Sequence, residues 1–103
     1  MSTPRPVKLS EAEIATALAR LPGWKLEGGK LHREYKFDDF VAAFSFMTGV
    51  ALVAQGMDHH PEWFNVWSTV RVDLATHDAG GVTALDVTLA DAMDELAGRQ
   101  SAR

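Results

Sequence analysis

The sequence predicts an α+β domain in the order α-β-β-α-β-β-α, with a four-stranded antiparallel sheet covered on one face by three helices. Three observations lead there. Apolar residues recur at helical spacing in three separate segments, the stretches between them alternate or are rich in β-branched and aromatic residues, and the strands pair through short reversals. Such hairpins make an antiparallel sheet, and three amphipathic helices suffice to cover its apolar side. The 103 residues, 47% hydrophobic and 23% charged, suit a single domain with a core that needs no staples. Its expected bounds are a loose arm at 1–8, the domain at 9–98 and a frayed end at 99–103.

The first helix begins at Ser10, an N-cap with Glu13 three residues on, and carries Ile14, Leu18 and Leu21 before Pro22 and Gly23 end it. Two strands follow, Trp24 to Glu27 and Lys30 to Phe37, joined by Gly28 and Gly29 in a type I′ turn. In the second, Leu31, Arg33, Tyr35 and Phe37 share one face, while Lys30, His32, Glu34 and Lys36 share a solvated one. Asp38 or Asp39 then caps a long helix in which Phe40, Phe44, Met47, Ala51 and Ala54 form a stripe. Phe46, Val50 and Val53 widen that stripe, which points to deep burial or to a subunit contact. The segment from Trp63 to Thr76 is too long for one ordinary strand, so a reversal is expected near Ser68 and Thr69, although its turn chemistry is weak. Thr83 caps the last helix, with Leu85, Leu89, Ala92, Met93 and Leu96 on one face.

Composition excludes several classes of function. A net charge of -4 with scattered basic residues removes the usual attraction to phosphate backbones, so no direct nucleic-acid contact is expected. The absence of cysteine excludes disulfides, thiolate nucleophiles and cysteine-held metals. No apolar run approaches membrane-spanning length by this reading, and the start lacks a signal peptide, so a cytoplasmic protein without membrane attachment is expected. There is no serine elbow, phosphate-cradling glycine loop or dinucleotide fingerprint.

What remains for chemistry is histidine. His59 and His60 lie where the long helix must stop, since Pro61 pushes His60 out of helical geometry, and His77 lies where the last strand runs into a loop. Imidazoles titrate near neutrality, so such a set can hold an acid and a base together. The alternative is structural, with one of the adjacent rings exposed and the other hydrogen-bonded at the helix end. A metal site is disfavoured, because adjacent rings rarely converge on one ion and no H-x-x-x-H pair exists. Asp58 can orient a ring or bind a ligand, or serve only as a helix-end polar group. Asp86 occupies the capping-box position after Thr83, a structural role in itself. Trp24, Trp63 and Trp67 fit a core or an interface, or a stacking surface for a flat heterocycle.

The spacing H-H-P, five residues, Trp67, nine residues, His77, eight residues, Asp86 resembles the signature of the pterin-4a-carbinolamine dehydratases, also known as dimerisation cofactors of a homeodomain transcription factor. The likeness extends to "GW" at 23–24, "FSFMTGVAL" at 44–52, "DHHPEWFNVW" at 58–67 and "ATHDAGGVTALD" at 75–86. It implies the same α-β-β-α-β-β-α fold, a homodimer or homotetramer through the long helix, and dehydration of a 4a-hydroxytetrahydropterin in tetrahydrobiopterin recycling. It implies no metal and no organic cofactor. By carry-over His59, His60 and His77 are the acid-base set. Asp58, Ala75, Thr76 and Asp78 hold the pterin edge with Pro61 beside them, Trp24 lines the site, and Asp86 and Trp67 give support. A non-catalytic binding module on the same fold is the rival that the resemblance also allows. One departure stands out: where the family usually has a charged or titratable residue, commonly glutamate, four residues before the first histidine, this chain has Gln55. An amide there supplies no charge, so lower activity or a pH optimum shifted downward is expected.

Overall fold

The computed structural model describes residues 6–100, and the ends of the expected arm and frayed terminus, 1–5 and 101–103, lie outside them. The elements follow the expected order: α1 (Glu11–Arg20), β1 (Lys25–Glu27), β2 (Lys30–Lys36), α2 (Phe40–Met57), β3 (Glu62–Val66), β4 (Thr69–Leu74) and α3 (Ala84–Arg99), with a single 3₁₀ turn at His77–Ala79. All four strands are antiparallel, in the order β1-β2-β4-β3. The helices cover one face.

Pairing register explains why one face is dry. Leu31 stands opposite Leu74, Arg33 opposite Val72 and Tyr35 opposite Val70, so the buried apolar set of β2 meets that of β4 without a slip. The other face carries cross-strand charge: His32 opposite Asp73, Glu34 opposite Arg71, and Lys30 bonded to Glu62 at 2.8 Å. His32 is half-buried against Asp73 at 2.9 Å, where the sequence suggested simple solvation.

Capping matches the sequence closely. Ser10 and Glu13 form a reciprocal capping box, Asp39 takes the amide of Ala42, and Thr83 with Asp86 forms a second box. Gly28 and Gly29 both have positive φ, as a type I′ turn requires.

Two expectations need correction. The β3–β4 reversal lies at Trp67 and Ser68, one residue earlier than expected, because Val66 pairs with Thr69. Trp67 adopts φ 48°, a region that disfavours side chains, and the turn is held instead by the amide of Asn65, which donates to the carbonyls of Trp67 (3.2 Å) and Thr69 (2.8 Å). The second concerns α2. The face it buries is Ala43, Phe46, Val50 and Ala54, not the stripe begun by Phe40 and Phe44, which are exposed together with Val41 and Leu52 (73% exposed). Size decides this, since Ala43 and Ala54 let the backbone lie close to its neighbours where a second phenylalanine would hold it off. At 18 residues with a mean hydropathy of 1.7, α2 is also long and apolar enough to cross a membrane by length and composition, contrary to the sequence reading.

Trp24 is placed by a polar hub at the edge of the core. One carboxylate oxygen of Asp94 on α3 accepts from Trp24 Nε1 (3.0 Å), Arg33 (2.8 Å) and Tyr35 Oη (2.5 Å). Phe46 packs on Tyr35 and Phe37, its ring 4.8 and 5.0 Å from theirs. Burial, and then the neighbouring Asp94 carboxylate, hold the Tyr35 hydroxyl above the usual phenol range. A raised pKa gives stability that is complete below the unfolded value of about 10 and is lost as pH rises beyond it. Tyr35 is the single tyrosine of the chain, so the effect is isolable. In urea titrations above pH 10 the wild type should lose stability relative to Tyr35→Phe by up to about 1.4 kcal/mol per pH unit. Parallel pH curves for the two proteins would refute this.

Candidate active site

α2 ends at Asp58, which adopts left-handed geometry (φ 52°, ψ 41°), and the amide of His59 closes back on the carbonyl of Ala54 at 3.0 Å. This bend delivers two adjacent histidines to one place. His59 turns inward and is nearly buried, its side chain 10% exposed, whereas His60 remains outside. On the facing side Thr76 pairs with Gly81 in a short bridge, and the 3₁₀ turn between them is closed by Gly80, whose φ of 74° a side chain would disfavour. That turn presents His77 and Asp78 outward.

The two corners enclose a cleft of about 350 Å³ lined by Pro6, Asp58, His59, His60, Ala75, Thr76, His77, Asp78 and Leu85. The volume is at the small end of ligand pockets. All three candidate histidines border it. Of the other expected residues, Asp58, Ala75, Thr76 and Asp78 do as well. Pro61 is not among the residues that line it. Trp24 is not in it, because its indole N–H is committed to Asp94 in the core hub. Trp67 is also elsewhere, 66% exposed at the β3–β4 turn. Leu85 and Pro6 were missed, since Leu85 reads as an ordinary core position of α3 and Pro6 as part of a loose arm.

Behind the cleft, Asp86 is fully buried and fully bonded. Its Oδ1 accepts from His59 Nε2 at 2.5 Å, and its Oδ2 accepts from the Thr76 hydroxyl and the Thr83 amide, both at 2.9 Å. Because Thr76 donates to Asp86, it accepts in turn from the Thr83 hydroxyl at 2.7 Å, which itself accepts from the amide of Leu85. Every donor therefore has one direction. The chain fixes His59 with its proton on Nε2, so Nδ1 is the nitrogen it can offer to a ligand. Asp86 thus combines the capping role read from the sequence with a second one the sequence left hidden.

Gln55 does not serve the histidine one turn below it. His59 is already engaged inward, and it is His60 Nε2 that donates to Gln55 Oε1, at 3.0 Å. A carboxylate in place of this amide would favour the protonated ring of His60, so Gln55→Glu should move the pH optimum of any histidine-dependent turnover upward. A pH profile of kcat/KM identical to that of the wild type would refute this. Among the described residues no group of three histidine, aspartate or glutamate side chains is arranged to hold a metal ion.

Residues 7–96 match the family model described as pterin 4 alpha carbinolamine dehydratase. A relative from Solibacter usitatus is 59% identical over 90 residues, covering 87% of this chain and 95% of its own. One from Mesorhizobium japonicum is 54% identical over 93 residues, covering 88% and 95%. Both carry the provisional name pterin-4-alpha-carbinolamine dehydratase. A crystal structure from Brucella melitensis, described as a transcriptional coactivator/pterin dehydratase, superposes with a TM-score of 0.86 at 47% identity, over 88% of this chain and 99% of that one. With the match running through both corners of the cleft, the chain belongs to the pterin-4-alpha-carbinolamine dehydratase family, a family of hydro-lyases.

Proposed function

We propose that the protein removes water from a 4a-hydroxytetrahydropterin, giving the quinonoid dihydropterin, and that His59, His60 and His77 carry out the proton transfers. The observation that carries this reading is one cleft bordered by three histidines, one of them fixed by a buried carboxylate. A 4a-hydroxyl is a poor leaving group, so its oxygen must receive a proton as the carbon–oxygen bond breaks. The lone pair of the adjacent ring nitrogen then forms the new C=N bond, and that nitrogen gives up its proton to a base. One water leaves. An imidazole in each protonation state serves the two transfers, each worth about 10²- to 10⁴-fold.

The environments of the rings suit a division of labour. His59 is held rigidly with Nδ1 available as an acceptor, which suits it to take a proton at a fixed position, while His60 and His77 are exposed and can exchange protons with water. Asp58, Thr76 and Asp78 supply polar groups along the same rim, suited to the amide and amino edge of a pterin. Tetrahydrobiopterin recycling in the cytoplasm is the role we assign to this reaction.

We further assign self-association to the outer face of α2, as a dimer or tetramer. Phe40, Val41, Phe44 and Leu52 are exposed there, and Phe40 and Phe44 pack on each other at 5.6 Å. A binding role without catalysis would need only this face and not the histidine cleft.

The test is dehydration of a chemically generated 4a-hydroxytetrahydropterin, followed by absorbance. The purified protein should accelerate it well beyond the buffer rate. A rate equal to that in buffer would leave the binding module as the better reading.

A further inference from the structure

The histidine cleft has one wall that the proton transfers leave unused. Of the nine residues around it, six are polar, and only Pro6, Ala75 and Leu85 are apolar. The polar groups can meet the edge of a flat ring, but its faces call for apolar contact. Among the described residues no tryptophan, tyrosine or phenylalanine lines the cleft, and Ala75 offers only a methyl group. The broader apolar surfaces are therefore Leu85, carried on α3, and Pro6, which belongs to no helix or strand.

Pro6 is held in place by the residues that follow it. The amide of Leu9 donates to the carbonyl of Val82 at 2.8 Å, so this segment runs beside the end of the 76–81 loop. Leu9 itself packs on the core. One residue earlier, Lys8 lies across Gly81. A Cβ at Gly81 would come within 2.8 Å of Lys8 Cε, 3.2 Å of Cδ and 3.3 Å of Cγ, so the lysine stem fills the space that a side chain there would take. Residues 6–9 thus grip the loop that carries His77, and Pro6 is the end that reaches the cleft. Proline suits that end, because its φ is fixed and its ring loses no rotamer freedom on being covered. The family match begins at residue 7, so family membership does not assign this wall.

We propose that Pro6 is a substrate-binding residue, an apolar wall for one face of the ring, and that Lys8, through its methylene stem on Gly81, is the positioning residue that holds it there. The inference rests on the dehydratase reading for the identity of that ring. It adds a contact and a clasp that act on binding and leave the proton transfers to the histidines.

The experiment uses the full chain as wild type and as Pro6→Gly, Lys8→Ala, Lys8→Met and Gly81→Ala. Affinity for 6-methylpterin is measured by fluorescence titration, and kcat and KM in the dehydration assay. Pro6→Gly and Lys8→Ala should each weaken probe binding and raise KM about fivefold, the size expected when one small apolar contact is lost. Their kcat should stay within about twofold and its pH profile should not move, as for an interaction made equally in the ground and transition states. Lys8→Met keeps an unbranched stem without the charge and should recover most of the loss. Gly81→Ala pushes the stem off the loop and should match Lys8→Ala. Pro6 and Lys8 are exposed, so the melting midpoints of their variants should stay within a few degrees of the wild type. A Lys8→Met variant as weak as Lys8→Ala would overturn the role of the stem. Should the wild type bind the probe or dehydrate the substrate while Pro6→Gly does so equally well, the wall is overturned and the enzyme reading stands. Should the wild type do neither, both are overturned.

Discussion

Asp86→Ala should be the most destabilising single substitution at the site, lowering stability by about 3–5 kcal/mol. The reason is what the carboxylate leaves behind. Three donors, from His59, Thr76 and Thr83, lose their acceptor in a place that water does not reach, and α3 loses half of its capping box. In a thermal melt the midpoint should fall by more than about 12 °C, taking about 4 °C for each kcal/mol in a domain of this size. A fall within a few degrees would mean that the network does not hold the corner together. Asp86→Asn separates stability from chemistry. The amide keeps an acceptor for the threonine side but turns an N–H towards His59. That forces the ring proton onto Nδ1 and presents the cleft with a donor in place of an acceptor. Activity should then fall at least about 100-fold while most of the stability is kept.

His60→Ala and His77→Ala should show the opposite signature. Both rings are exposed, and neither fills the core, so folding should be preserved. If each moves a proton in the dehydration, each variant should lose about 10²- to 10⁴-fold in kcat. His32→Ala is the internal control, since that ring pairs with Asp73 on the far side of the sheet, away from the histidine cleft. It should retain turnover within about twofold, within the range of surface substitutions. A His77 variant with wild-type kcat would remove that residue from the mechanism.

How much of this the sequence could disclose depends on what kind of physics was involved. Local rules were readable. The capping boxes at Ser10 and Thr83, the two-glycine turn and the alternation of β2 are short-range patterns, and the structure has each of them where the sequence places it. The bend at Asp58 was foreshadowed by Pro61, because a histidine before proline cannot continue the helix. The reversal at Trp67 was harder, since neither tryptophan nor serine marks a two-residue hairpin. The stabilising group, the Asn65 amide, acts from within the strand. On α2 the apolar residues run almost all the way round, so periodicity could not distinguish the face that packs from the face left open. Side-chain size did.

The candidate site was legible as a list but not as a set of partnerships. Asp86 looked complete as a cap, and only the packing of α3 against the end of α2 brings its second oxygen to His59, 27 residues away. Gln55 was assigned to the histidine one turn below it, whereas the inward turn of His59 hands it to His60. Trp24 carried an expected role from the resemblance, and its indole N–H is instead tied to Asp94, 70 residues away. Each case is a long-range contact that spacing along the chain does not encode.

The central claim is that a pterin occupies the cleft between the α2 corner and the 76–81 loop, against the three histidines. It is tested most directly by nitrogen-15 NMR of the imidazole rings during titration with 6-methylpterin. The ring resonances of His59, His60 and His77 should shift together with the backbone amide of Thr76, while those of His32 stay in place. Shifts confined to His32 and the outer face of the sheet, or none at any histidine, would contradict it.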